Sequence, residues 1–274
     1  MLSHSSIAPE HLALHIGTQR APAIVDVRSK EEFGADPYLI PGSVRRDASR
    51  VETWAPALVG KSVVVACLDG NENSQGVTAW LRHQGIHARA LDGGFTGWRS
   101  SGALLTRAAA SLPPDSSGRT IWVTRERPKI DRIACPWLIR RFVDPEAVFL
   151  FAEAQRVSGI ADRFKATPFD IEGVFWSHRG DTCTFDTMLT EFGLKSEALD
   201  RLATIVRGAD TARLELSPEA SGFLAFSLGL SRLFDDDLEQ LQVGLTFYDA
   251  AYLWCRDASA ETHNWPSKTA EGKS

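Results

Sequence analysis

The chain has 274 residues, which is enough for two domains of typical size. Its 30 basic and 35 acidic side chains give a net charge of −5, which argues against a surface devoted to nucleic acid or anionic membrane. Residues 1–10 lack the charged and apolar regions of a secretory signal. The most apolar run, residues 222–230, is far shorter than the roughly 18 residues of a membrane span and predicts a buried helix.

The four cysteines, Cys67, Cys135, Cys183 and Cys255, are widely spaced and form no C-x-x-C pair. This pattern excludes a small disulfide scaffold and favours a reducing compartment, so we expect a cytoplasmic protein. Each cysteine is therefore either a packed core residue or part of a functional site. Cys255 lies on a long amphipathic stripe, where a free cysteine usually packs in the core.

A change of composition divides the chain into two domains. Residues 108–119 combine small residues, a Pro-Pro pair and Ser-Ser-Gly, which is typical of a linker rather than a core. We therefore expect one domain over residues 1–107 and a second over residues 120–257. The polar residues 258–274 predict a flexible tail.

The first domain alternates strand and helix patterns. Residues 23–27, 61–67 and 86–91 are short apolar runs, and the middle run holds three consecutive valines, as a buried parallel strand does. Residues 77–84 carry apolar side chains at helical spacing and end at Gly85, a natural C-cap. Strands that alternate with helices predict an α/β fold with a parallel sheet flanked by helices.

The second domain is predicted to be mainly helical. Apolar residues at helical spacing indicate helices over residues 199–206 and 238–255. Short strands are predicted at residues 121–124, 148–151 and 173–178. These elements together predict an α+β domain with a small sheet.

Cys67 ends the valine-rich strand and begins a loop that leads into a helix. The backbone N–H groups of such a loop and the dipole of the following helix favour a thiolate, and the same amides can hold a tetrahedral oxyanion. We therefore predict that Cys67 is a catalytic nucleophile. The predicted oxyanion loop consists of Leu68, Asp69, Gly70, Asn71, Glu72, Asn73 and Ser74.

Three further motifs accompany this cysteine. They are Asp26-Val-Arg28 with Glu31, Glu32 and Phe33, then Ile-Pro-Gly-Ser at residues 40–43, then Gly93-Gly94 ahead of Trp98. The motifs and their order resemble the rhodanese family. The resemblance implies a rhodanese fold in which Cys67 attacks a sulfur donor such as thiosulfate, carries a persulfide and passes the sulfur to a thiol acceptor.

The loop departs from the common rhodanese form C-x-x-G-x-R-[ST]. Glu72 stands where that form has arginine, one residue is inserted before Ser74, and Asp69 adds a second negative charge. Replacing a cation by an anion weakens anion binding and the stabilisation of a thiolate. The loop is therefore compatible with two functions. One is a sulfurtransferase with low activity toward thiosulfate, and the other is a non-catalytic interaction or sensing module.

The second domain contains several long and unusual sequence blocks. They are residues 129–142, 168–171, 177–178, 183–188, 207–210 and 248–250. The blocks resemble the C-terminal domain of bacterial chromate-resistance proteins of the ChrB type, over nearly the whole of residues 120–257. The resemblance implies an association with chromate resistance, through regulation or through handling of the oxyanion.

The second domain also carries candidate metal ligands. If residues 182–192 form a helix, Cys183 and Asp186 lie on the face opposite its apolar side, although an exposed free cysteine is uncommon. Together with His178 they are ligand types for a transition metal, a candidate cofactor. The alternative is a plain polar face, because the spacing matches no standard zinc motif. Further candidate donors are Asp131, Cys135 and Asp210.

Cys135 precedes a proline and has two interpretations. If Pro136 is the first helical residue, Cys135 is the N-cap and its thiolate is stabilised. If Asp131 is the N-cap instead, Cys135 lies within the first turns of the helix and is buried. The sequence leaves both interpretations open.

Residues 125–141 concentrate positive charge, with six basic and two acidic side chains. The simplest interpretation is a solvated helix face. The functional interpretations are capture of an oxyanion such as chromate, with Lys129 in the candidate site, and contact with a phosphate backbone. The acidic chain shows no helix-turn-helix pattern, so nucleic acid is not an expected partner unless the protein forms a homodimer.

Two functions from different classes follow. The first is a cytoplasmic, chromate-resistance-associated protein whose rhodanese module transfers sulfur through a Cys67 persulfide. The second is a regulatory protein that senses a metal or an oxyanion and whose rhodanese domain is inactive. A structural adaptor with neither activity nor ligand is a third interpretation.

Overall fold

The computed structural model describes residues 5–108 and 112–261. The middle of the predicted linker, residues 109–111, and the predicted tail beyond residue 261 lie outside the described residues. The described part of the chain contains a five-stranded parallel sheet, a three-stranded parallel sheet and a two-stranded antiparallel sheet. The five-stranded and two-stranded sheets belong to the N-terminal segment, and the three-stranded sheet belongs to the C-terminal segment.

The N-terminal segment alternates strands and helices. Its strands are β1 (Ser6–Ile7), β2 (Ala23–Asp26), β3 (Tyr38–Leu39), β4 (Ser43–Arg45), β5 (Ser62–Ala66), β6 (His87–Leu91) and β7 (Thr106–Arg107). Its helices are α1 (Pro9–Ala13), α2 (Lys30–Ala35), α3 (Val51–Trp54), α4 (Glu72–His83) and α5 (Gly94–Ser100). Short 3₁₀ turns lie at Ala48–Arg50 and Ala55–Leu58.

The C-terminal segment is mainly helical. Its strands are β8 (Ile121–Arg125), β9 (Val148–Ala152) and β10 (Thr167–Pro168). Its helices are α6 (Asp131–Leu138), α7 (Val157–Phe164), α8 (Thr184–Phe192), α9 (Glu197–Asp210), α10 (Ala220–Leu233) and α11 (Asp237–Leu253). Its 3₁₀ turns are Ala154–Arg156 and Leu214–Leu216, and its π-helical turns are Ile139–Val143 and Trp254–Ala258.

The valine-rich strand β5 lies at the centre of the large sheet, whose order is β1-β6-β5-β2-β4. Val64 packs into one apolar cluster, and Val63 and Val65 pack into another on the opposite face. All three valines are fully buried, which explains their continuous apolar run. This architecture confirms the predicted α/β fold of the first domain, and the helices with a small sheet confirm that of the second.

Helix α4, which follows the Cys67 loop, begins earlier than its apolar pattern predicts. The helix begins at Glu72, whereas apolar side chains at helical spacing begin only at Val77. Its first turn is polar because it faces the loop rather than the core. The start of α4 is therefore part of the wall around the thiol.

The third strand of the small sheet is not where the sequence predicted it. Residues 173–178 form no strand, although Trp176 makes a single bridge to Phe169, and β10 takes the third place. Asp170 has a φ of +52°, which turns the chain away from the sheet soon after Pro168. The segment that carries His178 is consequently an irregular loop.

Helix α10 contains the most apolar run of the sequence, yet the prediction that this run is buried is wrong. Phe226 is 41% exposed and Leu228 is 46% exposed, because only one side of the helix packs on α9 and α11. Phe226 stacks on Phe247 of α11 with ring centroids 4.0 Å apart. Among the described helices, none combines the length and the apolar composition needed to span a bilayer.

The two segments share one continuous apolar core. Trp98 of the N-terminal segment and Trp137 of the C-terminal segment belong to the same buried cluster. At the junction, the N–H of Gly42 donates to the Phe142 carbonyl at 2.9 Å. The two segments therefore form one packed unit.

We predict that Gly17→Ala destabilises the protein more than Gly85→Ala. Both glycines have a φ of +76°, so both substitutions strain the backbone to the same extent. A Cβ on Gly17 would lie 2.5 Å from Cζ of Phe142 and 2.7 Å from Cε1 of Tyr252, whereas a Cβ on Gly85 would have nothing within 4 Å.

Overpacking should add about 1–3 kcal/mol to the loss of unfolding free energy in Gly17→Ala. Urea denaturation of both variants and the wild type measures this difference. Equal losses in the two variants would show that the segments do not pack closely at Gly17.

Candidate functional site

The thiol of Cys67 lies at the carboxyl end of the central strand β5, in the loop before α4. The residue is 4% exposed. The backbone N–H of Asn71 donates to its Sγ at 3.1 Å, and the hydroxyl oxygen of Ser74 lies 3.1 Å from the same sulfur. The sulfur therefore sits among polar groups that can stabilise negative charge.

The loop is held in place by the glycine pair that precedes α5. Gly94 approaches so closely that a Cβ there would lie 2.5 Å from the Cys67 carbonyl oxygen. The N–H of Phe95 donates to that carbonyl at 2.8 Å, and the N–H of Thr96 donates to the Leu68 carbonyl at 2.9 Å. The glycine motif thus positions the cysteine through the backbone.

The other residues of the rhodanese-like motifs stabilise the scaffold. Arg28 and Asp26 form a buried ion pair with a closest N–O distance of 2.6 Å. Trp98 is fully buried, and its indole N–H donates to the Leu104 carbonyl at 2.9 Å. Gly93 is the N-cap of α5 and has a φ of +67°. These residues fix the sheet and α5, on which the loop rests.

The outer side of the loop is negatively charged. Asp69 and Glu72 are both exposed, and so are Asn71 and Asn73. Asp69 accepts a hydrogen bond from the Thr96 hydroxyl at 2.7 Å. Within residues 5–108 and 112–261, neither carboxylate has a lysine or arginine nitrogen within the 4.0 Å of an ion pair. An anion that approached this loop would therefore meet two negative charges.

A second cluster of reactive side chains surrounds His178 in the C-terminal segment. Its Nε2 lies 3.6 Å from Asp131 Oδ2, 3.5 Å from Asp170 Oδ1 and 3.1 Å from Asp210 Oδ2. One donor atom each of Asp131, Asp170 and His178 lies within 4.8 Å of the other two. The Asp131 side chain is fully buried, whereas that of His178 is 41% exposed, so the cluster opens to solvent on the histidine side.

Asp131 is the first residue of α6, and its carboxylate meets the N-terminus of α8. Its Oδ2 accepts the N–H of Thr184 at 2.5 Å and the N–H of Phe185 at 3.3 Å. Its Oδ1 is buried and has no hydrogen-bond partner in the described part of the chain. The preceding Ile130 has a φ of +38°, a strained backbone conformation for a β-branched residue.

The pKa values of Asp131, His178 and Asp210 are raised above their ordinary values. Burial raises the pKa of Asp131 well above its usual range, and the charges of Asp210 and Asp170 raise it further. Burial is also the main cause that raises the pKa of Asp210. Interaction with the Asp170 carboxylate, 3.5 Å away, raises the pKa of His178. The cluster therefore holds protons more tightly than the isolated groups would.

Fixed cations neutralise only part of this cluster. Asp170 Oδ2 lies 3.4 Å from Nε of Arg132 and 3.6 Å from Nη2 of Arg125. Among the described residues, Asp131 and Asp210 have no lysine or arginine nitrogen within 4.0 Å. In the described part of the chain, the half-exposed His178 is therefore the source of positive charge within 4.0 Å of the Asp131 and Asp210 carboxylates.

The predicted ligand set of His178, Cys183 and Asp186 does not form. Cys183 is the N-cap of α8 and is fully buried, and its N–H donates to Asp186 Oδ2 at 3.0 Å. The other oxygen of Asp186 pairs with Arg207 at 3.0 Å. Because α8 begins at Thr184 and packs on α6, Cys183 does not lie on an exposed polar face.

The remaining cysteines are buried. Helix α6 begins at Asp131, so Cys135 lies inside the helix and the interpretation that made it the N-cap is wrong. Burial raises the pKa of Cys135 well above its usual value and also raises that of Cys183. Burial raises the pKa of Cys255 to about 11. These three thiols are poor nucleophiles at neutral pH.

Arg127 and Arg141 of the basic segment are bound within the protein, so the interpretation as a solvated helix face is wrong for these two residues. Arg127 donates to the Phe234 carbonyl at 2.9 Å. Arg141 makes two hydrogen bonds to the carboxylate of Asp249, at 2.7 and 2.8 Å. Arg127 and Arg141 therefore connect the segment around α6 to the end of α10 and to α11, whereas Arg125 and Arg132 pair with Asp170.

Asp170 belongs to the cluster although no periodicity indicated it. It lies in an irregular turn, and its only signal in the sequence was its place in one of the blocks of family resemblance. Lys129, which the sequence had indicated, is partly buried. Burial, followed by the charge of Arg132, lowers the pKa of Lys129.

Solved structures resemble the N-terminal segment. A rhodanese-related protein from Thermoplasma volcanium is 24% identical and matches 37% of this chain and 96% of its own, with a TM-score of 0.33. A rhodanese-like domain protein from Staphylococcus aureus is 24% identical and matches 34% of this chain and 90% of its own, with a TM-score of 0.31.

Sequence comparison covers both segments. Protein ChrB of Cupriavidus metallidurans is 39% identical over 134 residues, which are 48% of this chain and 40% of that protein. The chain thus spans less than half the length of this curated relative. Family models match residues 8–101 as a rhodanese-like domain and residues 122–255 as the C-terminal domain of ChrB. The chain therefore consists of a rhodanese-like domain followed by a member of the ChrB C-terminal domain family.

Proposed function

We propose that this protein is a sulfurtransferase in which Cys67 carries a persulfide, and that it acts in chromate resistance in the cytoplasm. The observation that supports sulfur transfer is the setting of the thiol. The Asn71 N–H donates to the sulfur at 3.1 Å, and the thiol donates to the Ser74 hydroxyl oxygen at 3.1 Å. These hydrogen bonds hold the sulfur in place at the end of β5, where a sulfur donor can be attacked.

The proposed transfer consists of two displacements. The Cys67 thiolate attacks the outer sulfur of thiosulfate, so that a sulfur–sulfur bond forms while the bond to the sulfite group breaks. Sulfite leaves with the electron pair of the broken bond. An acceptor thiolate then attacks the outer sulfur of the persulfide, and Cys67 leaves as a thiolate. Sulfur is conserved in both steps, and no external oxidant or reductant is consumed.

We predict that Cys67→Ser abolishes transfer of sulfur from thiosulfate to cyanide, because a serine hydroxyl cannot form the persulfide. Cys255→Ser is the matched control, and it should retain wild-type activity because burial keeps the Cys255 thiol protonated. Mass spectrometry after incubation with thiosulfate should find one added sulfur atom on the Cys67 peptide alone. Activity that survives Cys67→Ser would refute the assignment of the nucleophile.

We also predict that Glu72→Arg increases kcat/KM for thiosulfate by at least about tenfold, because a cation replaces an anion beside the approaching dianion. Glu72→Gln should give a smaller increase. Glu239→Arg, which makes the same change of charge in the exposed first turn of α11, controls for the net charge of the protein. The gain should shrink as salt rises, since exposed charges are screened. No gain at low salt would show that Glu72 does not face the approaching donor.

The part of the proposal that concerns chromate rests on the ChrB C-terminal domain. A chromate-sensitive bacterium that produces the full chain should grow at a higher chromate concentration than one that carries an empty vector. The Cys67→Ser protein, produced at the same level, should protect less. Equal protection by both proteins would favour the regulatory alternative, in which the rhodanese-like domain is inactive.

A further inference from the structure

We propose that Asp131, Asp170 and His178 bind a divalent transition-metal ion. This site lies in the ChrB C-terminal domain and is independent of the Cys67 chemistry. The three side chains come from three separate parts of the chain: the start of α6, the turn after β10 and the loop before α8. Their donor atoms lie within 4.8 Å of one another.

The distances from His178 to Asp131 and Asp170, unlike its 3.1 Å distance to Asp210, fit a shared metal better than direct hydrogen bonds. Its Nε2 is 3.6 Å from Asp131 Oδ2 and 3.5 Å from Asp170 Oδ1. Both distances exceed the roughly 2.7–3.2 Å of an N–H···O hydrogen bond. For metal–ligand bonds of about 2.1 Å, neighbouring donors in a tetrahedral site lie about 3.4 Å apart. A metal ion between these atoms needs only small movements of the side chains.

An unpartnered buried atom belongs to the same carboxylate. Asp131 is fully buried, and its Oδ1 has no hydrogen-bond partner among the described residues. An unsatisfied carboxylate oxygen at such a depth is strongly unfavourable unless a cation or a proton compensates it. A bound cation would compensate the carboxylate of Asp131 directly.

The balance of charge leads to the same conclusion. Asp210 Oδ2 lies 3.1 Å from Nε2 of His178, so a further carboxylate borders the three ligands. Of these carboxylates, only Asp170 has arginine partners in the described part of the chain. A divalent cation would neutralise Asp131 and Asp210 without any new protein contact.

The donor set restricts the metal. Two carboxylates and one imidazole suit Mn²⁺, Fe²⁺, Co²⁺ or Zn²⁺, whereas soft ions such as Cu⁺ prefer thiolates. Cys183 lies nearby, but its sulfur is not part of the cluster and is 3.3 Å from Asp186 Oδ2. Because the His178 side chain is 41% exposed, the metal would keep a side open to solvent or to an exogenous ligand.

The test is titration of Co²⁺ and Mn²⁺ into the full-length protein after treatment with a chelator. We expect one ion of either metal per chain by calorimetry and a higher Tm when the metal is bound. His178→Ala and Asp131→Asn should each weaken binding by at least about tenfold. The His178 variant keeps the test decisive if Asp131→Asn fails to fold, because the half-exposed His178 side chain is not part of the core.

Asp186→Asn is the matched control, because Asp186 is a neighbouring carboxylate that pairs with Arg207 instead of the cluster. It should bind Co²⁺ as the wild type does, and so should Cys67→Ser. Co²⁺ bound by oxygen and nitrogen donors gives weak visible bands without the strong near-ultraviolet band of a thiolate ligand. Absence of binding, loss of binding in Asp186→Asn, or a thiolate band that disappears in Cys183→Ser would each overturn the proposed ligand set.

Discussion

The C-terminal domain depends on one buried carboxylate. Asp131 accepts two backbone N–H groups at the start of α8, where the helix dipole favours negative charge, and this contact fixes α6 against α8. Removing a carboxylate from water costs several kcal/mol. Two hydrogen bonds to one oxygen offset part of that cost, but the other oxygen has no partner among the described residues. The ionised form therefore requires further positive charge.

The two candidate sites are built on different physical principles. In the rhodanese-like domain, the backbone positions Cys67: Gly94 leaves no space for a side chain, and the N–H of Phe95 holds the Cys67 carbonyl. In the ChrB C-terminal domain, side chains from distant parts of the sequence meet around His178. A backbone-built loop tolerates changes of its outer side chains, such as Glu72, whereas a cluster of side chains depends on each member.

This difference explains how much the sequence could predict. The large sheet was predictable because strands buried on both faces leave continuous apolar runs, as the valines of β5 show. The Cys67 loop was predictable because it comes directly after that strand. The ligand cluster was predictable only in part: His178 and Asp131 were recognised as ligand types, but helical periodicity wrongly placed Cys183 on a polar face. Asp170 lies in a turn with a φ of +52°, and no periodicity describes such a residue.

The negative charge of the Cys67 loop would weaken the binding of an anionic sulfur donor, but it would not remove the nucleophile. In water, a carboxylate about 7 Å from a dianion weakens the association of the dianion by less than about tenfold, and salt reduces the effect further. The loss of an arginine hydrogen-bonded to the anion costs about 1.5–3 kcal/mol more. These penalties lower the affinity for thiosulfate, but they leave the thiol and its N–H donor from Asn71 in place. Under the proposed sulfur transfer, a neutral or less charged donor, such as a persulfide on a small thiol or a protein, would avoid most of both penalties.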